Sequence, residues 1–129
     1  MKIKISLPVD KQFAKPLRDF VFAIVKKITN DEYLSESLSL AIAEAYINIW
    51  EHEKFYDNID FSILYENGTL EFSLIDGAKK IDFRKLKSRL LSDFREGGLG
   101  LYIISSTMDE AYYEDIENGN KLVLKKIIK

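Results

Sequence analysis

The sequence predicts a two-layer α/β sandwich, with a mixed, mostly antiparallel sheet packed on about three helices. Three observations lead there. Short stretches alternate apolar and polar residues with the period of a strand, and longer ones repeat every three or four residues as helices do. Asn-Gly pairs sit between strand-like runs, where they favour two-residue hairpins. The resulting order is strand, helix, helix, hairpin, polar segment, helix, hairpin, an alternation that suits helices layered on a sheet.

Each element has its own signal. Lys2 to Leu7 alternates Lys-Ile-Lys-Ile-Ser-Leu, the pattern of a half-buried strand. Phe13, Leu17, Phe20, Val21, Ile24, Val25 and Ile28 recur at helical spacing. Pro16 fits only the first turn of a helix, so the regular helix is expected to begin at or near it. Thr29 followed by Glu32 forms a candidate capping box, with Asn30 and Asp31 as further caps. A second helix is expected from about Glu32 to His52 or a little beyond, with an apolar stripe of Leu34, Leu38, Ala41, Ile42, Ala45 and Ile49. Strands at Ile59 to Tyr65 and Thr69 to Ile75 flank Asn67-Gly68. Residues 77–96 are polar and irregular, with one short helix expected around Phe83 to Leu91. A third helix is expected near Gly98, carrying Leu101, Ile104 and Met108 on one face. Glu110 to Glu117 and Lys121 to Ile128 form a second hairpin around Asn118-Gly119.

The 129 residues amount to one domain, and 47% apolar with 31% charged residues fits a globular chain. The absence of cysteine excludes disulfides, thiolate metal sites and a cysteine nucleophile. His52 is the one histidine, so a histidine metal site or a Ser-His-Asp triad would have to run through it. A net charge of −2 gives no electrostatic case for nucleic acid or an anionic membrane. No apolar run approaches the roughly 20 residues of a membrane span. The MKIKI start, which soon meets Pro8 and Asp10, is too short and too charged for a signal peptide, so a cytoplasmic location is expected.

Four features can carry chemistry. Gly97, Gly98 and Gly100, three of the six glycines, lie in Arg95-Glu96-Gly97-Gly98-Leu99-Gly100-Leu101, directly ahead of a helix. Glycines let a backbone approach a ligand closely, and a helix N-terminus offers unpaired N–H groups to phosphate. No Gly-Lys-Ser/Thr follows, so this is not a P-loop. Glu44, Asn48 and His52 recur every four residues and drift by only about 80° in total, so they share one helix face at the border of the apolar stripe. A carboxylate one turn from an amide oxygen suits a general base beside a divalent cation. Asp76 closes a strand ahead of the small Gly77-Ala78 turn, where its carboxylate can accept from a ligand amine. Residues 79–96 carry seven basic and three acidic side chains, a balance of +4 against −6 for the remainder. Each feature also has an ordinary structural reading, as a solvated face, a satisfied polar group or a turn.

Their order is more informative: E-x-x-x-N on a helix, a hairpin ending in Asp, a basic segment, then G-G-L-G-L opening a helix. With Ala43 to His52, Gly97 to Ile104, Met108-Asp109-Glu110 and Gly119-Asn120-Lys121-Leu122, the chain resembles the GHKL ATPases. Within them it is similar to the anti-sigma-factor serine/threonine kinases of bacterial partner switching, over about Leu34 to Ile128. The resemblance implies a histidine-kinase-like ATPase domain with the Bergerat fold over residues 1–129 and a nucleotide lid at about 77–96. It implies ATP and Mg²⁺ as ligands. Glu44 would be the general base and Asn48 the Mg²⁺ ligand. Asp76 and Ala78 would lie at the adenine, with Arg95, Gly97, Gly98, Leu99 and Gly100 at the phosphates. The implied function is an ATP-dependent serine kinase and anti-sigma factor that phosphorylates a small anti-sigma-antagonist protein and sequesters a sigma factor, as a homodimer. Two departures stand out. The adenine motif D-x-G is here Asp76-Gly77-Ala78, which puts a methyl at its third position. The late Thr of the family is replaced by the pair Asn120-Lys121. The alternative is a non-catalytic module of the same fold that sequesters a regulator, with nucleotide structural or absent.

Overall fold

The computed structural model describes residues 1–52, 58–76, 99–116 and 119–128. In chain order these form β1 (Lys2–Pro8), a 3₁₀ turn (Lys11–Phe13), α1 (Ala14–Thr29), α2 (Glu32–His52), β2 (Asn58–Glu66) and β3 (Thr69–Asp76). After them come α3 (Leu99–Thr107), β4 (Glu110–Ile116) and β5 (Gly119–Ile127). The short helix expected around Phe83 to Leu91, and the lid span with it, lie outside the described residues.

The strand order is β1-β2-β3-β5-β4. Every pair is antiparallel, so the mixed sheet expected from the sequence is corrected to an antiparallel one among the described residues. The reason is topological. β5, returning from β4, takes the place beside β3 and keeps β4, which runs in the same direction as β3, one strand away.

Strand alternation sorts the side chains into two faces. Ile59, Phe61, Ile63, Leu70, Phe72, Leu74, Leu122 and Leu124 are buried on the inner face, where Phe61 and Phe72 stack with centroids 6.3 Å apart. The outer face carries charged ladders. Lys125 reaches Glu71 at 3.7 Å and Glu110 at 3.9 Å, and Lys121 reaches Glu114 at 3.4 Å. The turn between β2 and β3 has φ of 50° at Asn67 and 74° at Gly68, the positive pair of a type I′ hairpin. Gly68 is doubly required there, because a Cβ would also come within 3.0 Å of the Ile128 carbonyl oxygen.

α1 starts at Ala14, two residues earlier than the Pro16 rule suggests. The 3₁₀ turn feeds directly into it, capped by Asp10 Oδ1, which accepts from Gln12 N at 3.0 Å. Pro16 therefore sits in the first turn, where its missing N–H would have no partner anyway. The helix ends at Asn30 in the left-handed conformation, whose N–H bonds to Lys26 O. The expected Thr29–Glu32 capping box does not form. Thr29 belongs to the last turn of α1, and its Oγ1 donates to Val25 O at 2.8 Å. Asp31 caps α2 instead, its Oδ1 accepting from Leu34 N at 3.0 Å.

α2 packs between α1 and α3. Its burial is wider than the expected stripe: Ser35, Ser39, Ala43 and Tyr46 join Leu38, Ala41, Ile42, Ala45 and Ile49. Leu34 is only half-buried. The two serines satisfy their hydroxyls locally, Ser35 on Asp31 O at 2.6 Å and Ser39 on Glu36 O at 3.0 Å, so small polar residues can be buried without loss.

Candidate functional site

From Leu38 to Trp50 no residue of α2 is fully exposed, and Glu44 and Asn48 are the half-buried polar positions in that stretch. They lie one turn apart, about 6 Å along the axis. Glu44 lines a groove of about 400 Å³ between α1 and α2. Lys15, Arg18 and Phe22 of α1 and Glu36, Ser39 and Ile47 of α2 also line it. Asp19 lines it too, paired with Lys15 at 2.9 Å, so Glu44 shares the groove with side chains of both charges. His52 ends α2, completing the i, i+4, i+8 series at backbone level.

Asp76 is the last residue of β3 and lies on its inner face, only 3% exposed. Asn120 faces it directly across the β3–β5 ladder and is 4% exposed. Asn120 Nδ2 donates to Asp76 Oδ1 at 3.0 Å. The same end of the sheet holds the start of β2, where Ile59 pairs with Asp76. α3 leads into β4 at the opposite end, where Glu110 pairs with Lys125. Its first residues are Leu99 and Gly100, and the first N–H groups of a helix have no partner within the helix itself. The structure thus sets Asp76 at one end of the sheet and Glu44 and Asn48 on the central helix. Ala78, Arg95, Gly97 and Gly98 lie outside the described residues.

Two contributors were not given roles from the sequence. Tyr46 is fully buried. Its hydroxyl accepts from Asp10 N at 3.1 Å and donates toward Pro8 O and toward Asp10 O, the latter at 2.8 Å. Burial pushes the phenol above its ordinary range. Tyr46 thus ties the β1–α1 junction to the helix that carries Glu44 and Asn48. Its place beside Ala45 and Ile42 in the stripe was the available signal. Asn120 is the second. In the sequence it is only one of two residues, with Lys121, in the stretch where the family has a Thr, and its contact with Asp76 depends on the strand register.

Residues 7–126 match the histidine kinase-like ATPase domain family. The chain belongs to that family. The serine-protein kinase RsbW of Bacillus cereus (strain AH820) is 28% identical over 137 residues, spanning 98% of this chain and 85% of the relative. The RsbW of Bacillus thuringiensis (strain Al Hakam) is similar at the same identity and coverage. These relatives bear out the resemblance to the anti-sigma kinase branch of the GHKL ATPases. A chain of the SiaB-SiaC complex from Pseudomonas aeruginosa has the same fold, with a TM-score of 0.66 at 13% identity over 98% of this chain and 88% of that one. The catalytic domain of histidine kinase ThkA superposes with a TM-score of 0.58 at 16% identity, covering 98% and 96%. The expected Bergerat-type sandwich is therefore the observed fold. No described helix is long and apolar enough to cross a membrane.

Proposed function

We propose that this chain is an ATP-dependent serine protein kinase that phosphorylates a small anti-sigma-antagonist protein and, as a homodimer, holds a sigma factor. The observation that carries the reading is the placement of Glu44: half-buried on the central helix, one turn from Asn48, and opening into a groove that a protein substrate can enter. Phosphoryl transfer asks a protein mainly for positioning and charge neutralisation. Glu44 takes the proton of the attacking serine hydroxyl. The serine oxygen bonds to the terminal phosphorus as the bridge to ADP breaks, and ADP leaves with the electron pair.

The donor set suits the ligands. Asn48 offers a neutral amide oxygen, the hard donor that Mg²⁺ accepts alongside phosphate oxygens and water. Mg²⁺, when bound, neutralises the phosphates. Asp76 offers a buried, oriented acceptor for the adenine amine, and Ala78 belongs to the same adenine motif. Leu99 and Gly100 at the start of α3, with Gly97, Gly98 and Arg95 just before it, meet the phosphates. The similarity to serine-protein kinases over nearly the whole chain supports the same assignment.

The test is transfer of labelled phosphate from ATP and Mg²⁺ to a purified antagonist protein from the same organism. Wild type should produce phosphoserine. Glu44→Ala should lose about 10²–10⁴-fold in transfer while still binding nucleotide. No phosphoserine from wild type, with the antagonist bound, would refute the kinase assignment. Failure to bind ATP or ADP at millimolar concentration would favour the binding module that Ala78 suggests.

A further inference from the structure

We infer that Asn120 is a positioning residue for base recognition: its amide fixes the Asp76 carboxylate so that the site selects a purine with an exocyclic amine. The inference deepens the reading of Asp76 as the adenine acceptor and rests on it. Three observations support it. Both side chains are more than nine-tenths buried, on the inner face at one end of the sheet. They are direct partners in the β3–β5 register, so the backbone ladder holds them opposite each other. Asn120 Nδ2 donates to one carboxylate oxygen, Oδ1, at 3.0 Å.

The chemistry follows from the donor. The terminal torsion of an aspartate is a broad, soft rotor, and a single charge-assisted hydrogen bond is enough to set it. An amide N–H₂ can only donate and carries no charge at any ordinary pH, so Asp76 is kept as an acceptor. A fixed carboxylate acceptor matches the amine of an aminopurine and repels the oxygen that an oxopurine presents in its place.

The experiment measures dissociation constants for ADP and for purine riboside diphosphate, which lacks the amine, by calorimetry on the full chain. Wild type should prefer ADP. Asn120→Ala should weaken ADP about tenfold and leave the analogue within about twofold, so that the preference collapses. Asn120→Thr, which keeps a donor, should restore most of it. Asn120→Asp, which replaces the donor by a second acceptor, should lose the preference as Asn120→Ala does. Equal weakening of both ligands by Asn120→Ala, or no weakening of either, would overturn the inference. Asp76→Asn separates the two levels. If it leaves the preference intact, the adenine assignment of Asp76 itself fails, and the inference with it. If it abolishes the preference while Asn120→Ala does not, the assignment stands and the role of Asn120 falls.

Discussion

α1 and α2 lie side by side and solve opposite problems. α1 buries one stripe, Ala14, Leu17, Val21 and Val25, and turns Lys15 and Asp19 to water. α2 lies between α1 and α3 and joins the core, so that Ser35, Ser39 and its alanines are buried. On α1 a polar residue costs nothing and carries little information. From Leu38 to Trp50 of α2 every polar residue must be satisfied or placed at the edge of the packing, and this is where Glu44 and Asn48 stand. Polar groups on a buried helix are therefore better pointers to chemistry than the more numerous charges on an exposed one.

Three substitutions put that contrast at risk, in falling order of effect. Leu38→Ala, at a fully buried position of α2, should cost about 2–5 kcal/mol in urea unfolding, the usual range for a core cavity. Tyr46→Phe removes the link from α2 to the start of α1 and leaves Asp10 N without its phenol partner. It should cost about 1–3 kcal/mol near neutral pH. Its pH dependence has a definite sign. Burial raises the Tyr46 pKa in the folded state, so the protonated phenol favours folding. That contribution is complete below the unfolded tyrosine value of about 10 and is lost as pH rises from there through the folded value. Wild type should therefore lose stability in strong alkali more steeply than Tyr46→Phe, as read by unfolding at a series of alkaline pH values. Lys15→Ala breaks an exposed pair with Asp19 at 2.9 Å and should change stability by less than about 0.5 kcal/mol. If it matched Leu38→Ala in cost, the distinction between the two helices would fail.

What could be foreseen from the residues divides along physical lines. β1 was legible because one of its faces is wet, which preserves the alternation of Ile3, Ile5 and Leu7 with Lys2, Lys4 and Ser6. The first hairpin was legible because Asn67-Gly68 is local chemistry. The capping of α2 was not, because Thr29, Asn30 and Asp31 are all competent caps, and the choice fell to the left-handed turn at Asn30. Nor was the wide buried face of α2, since Ser35 and Ser39 are hydrophilic by composition and become compatible with burial only through bonds to their own helix. The site divides the same way. Glu44 and Asn48 are related by helical periodicity and could be paired on paper. Asp76 and Asn120 are related only by how two distant strands align.

That last relation also bears on how the molecule is assembled. The β2–β3 hairpin closes over two residues and the β4–β5 hairpin is similarly local, whereas Asp76 and Asn120 meet across 44 residues of chain. Loop-closure entropy makes such a long-range pairing slower to form than either hairpin. During synthesis Asp76 emerges well before its partner, and its carboxylate stays unheld until β5 arrives and docks. The corner that holds this pair is therefore completed only when the sheet is, so its formation reports on folding of the whole sheet rather than of either hairpin.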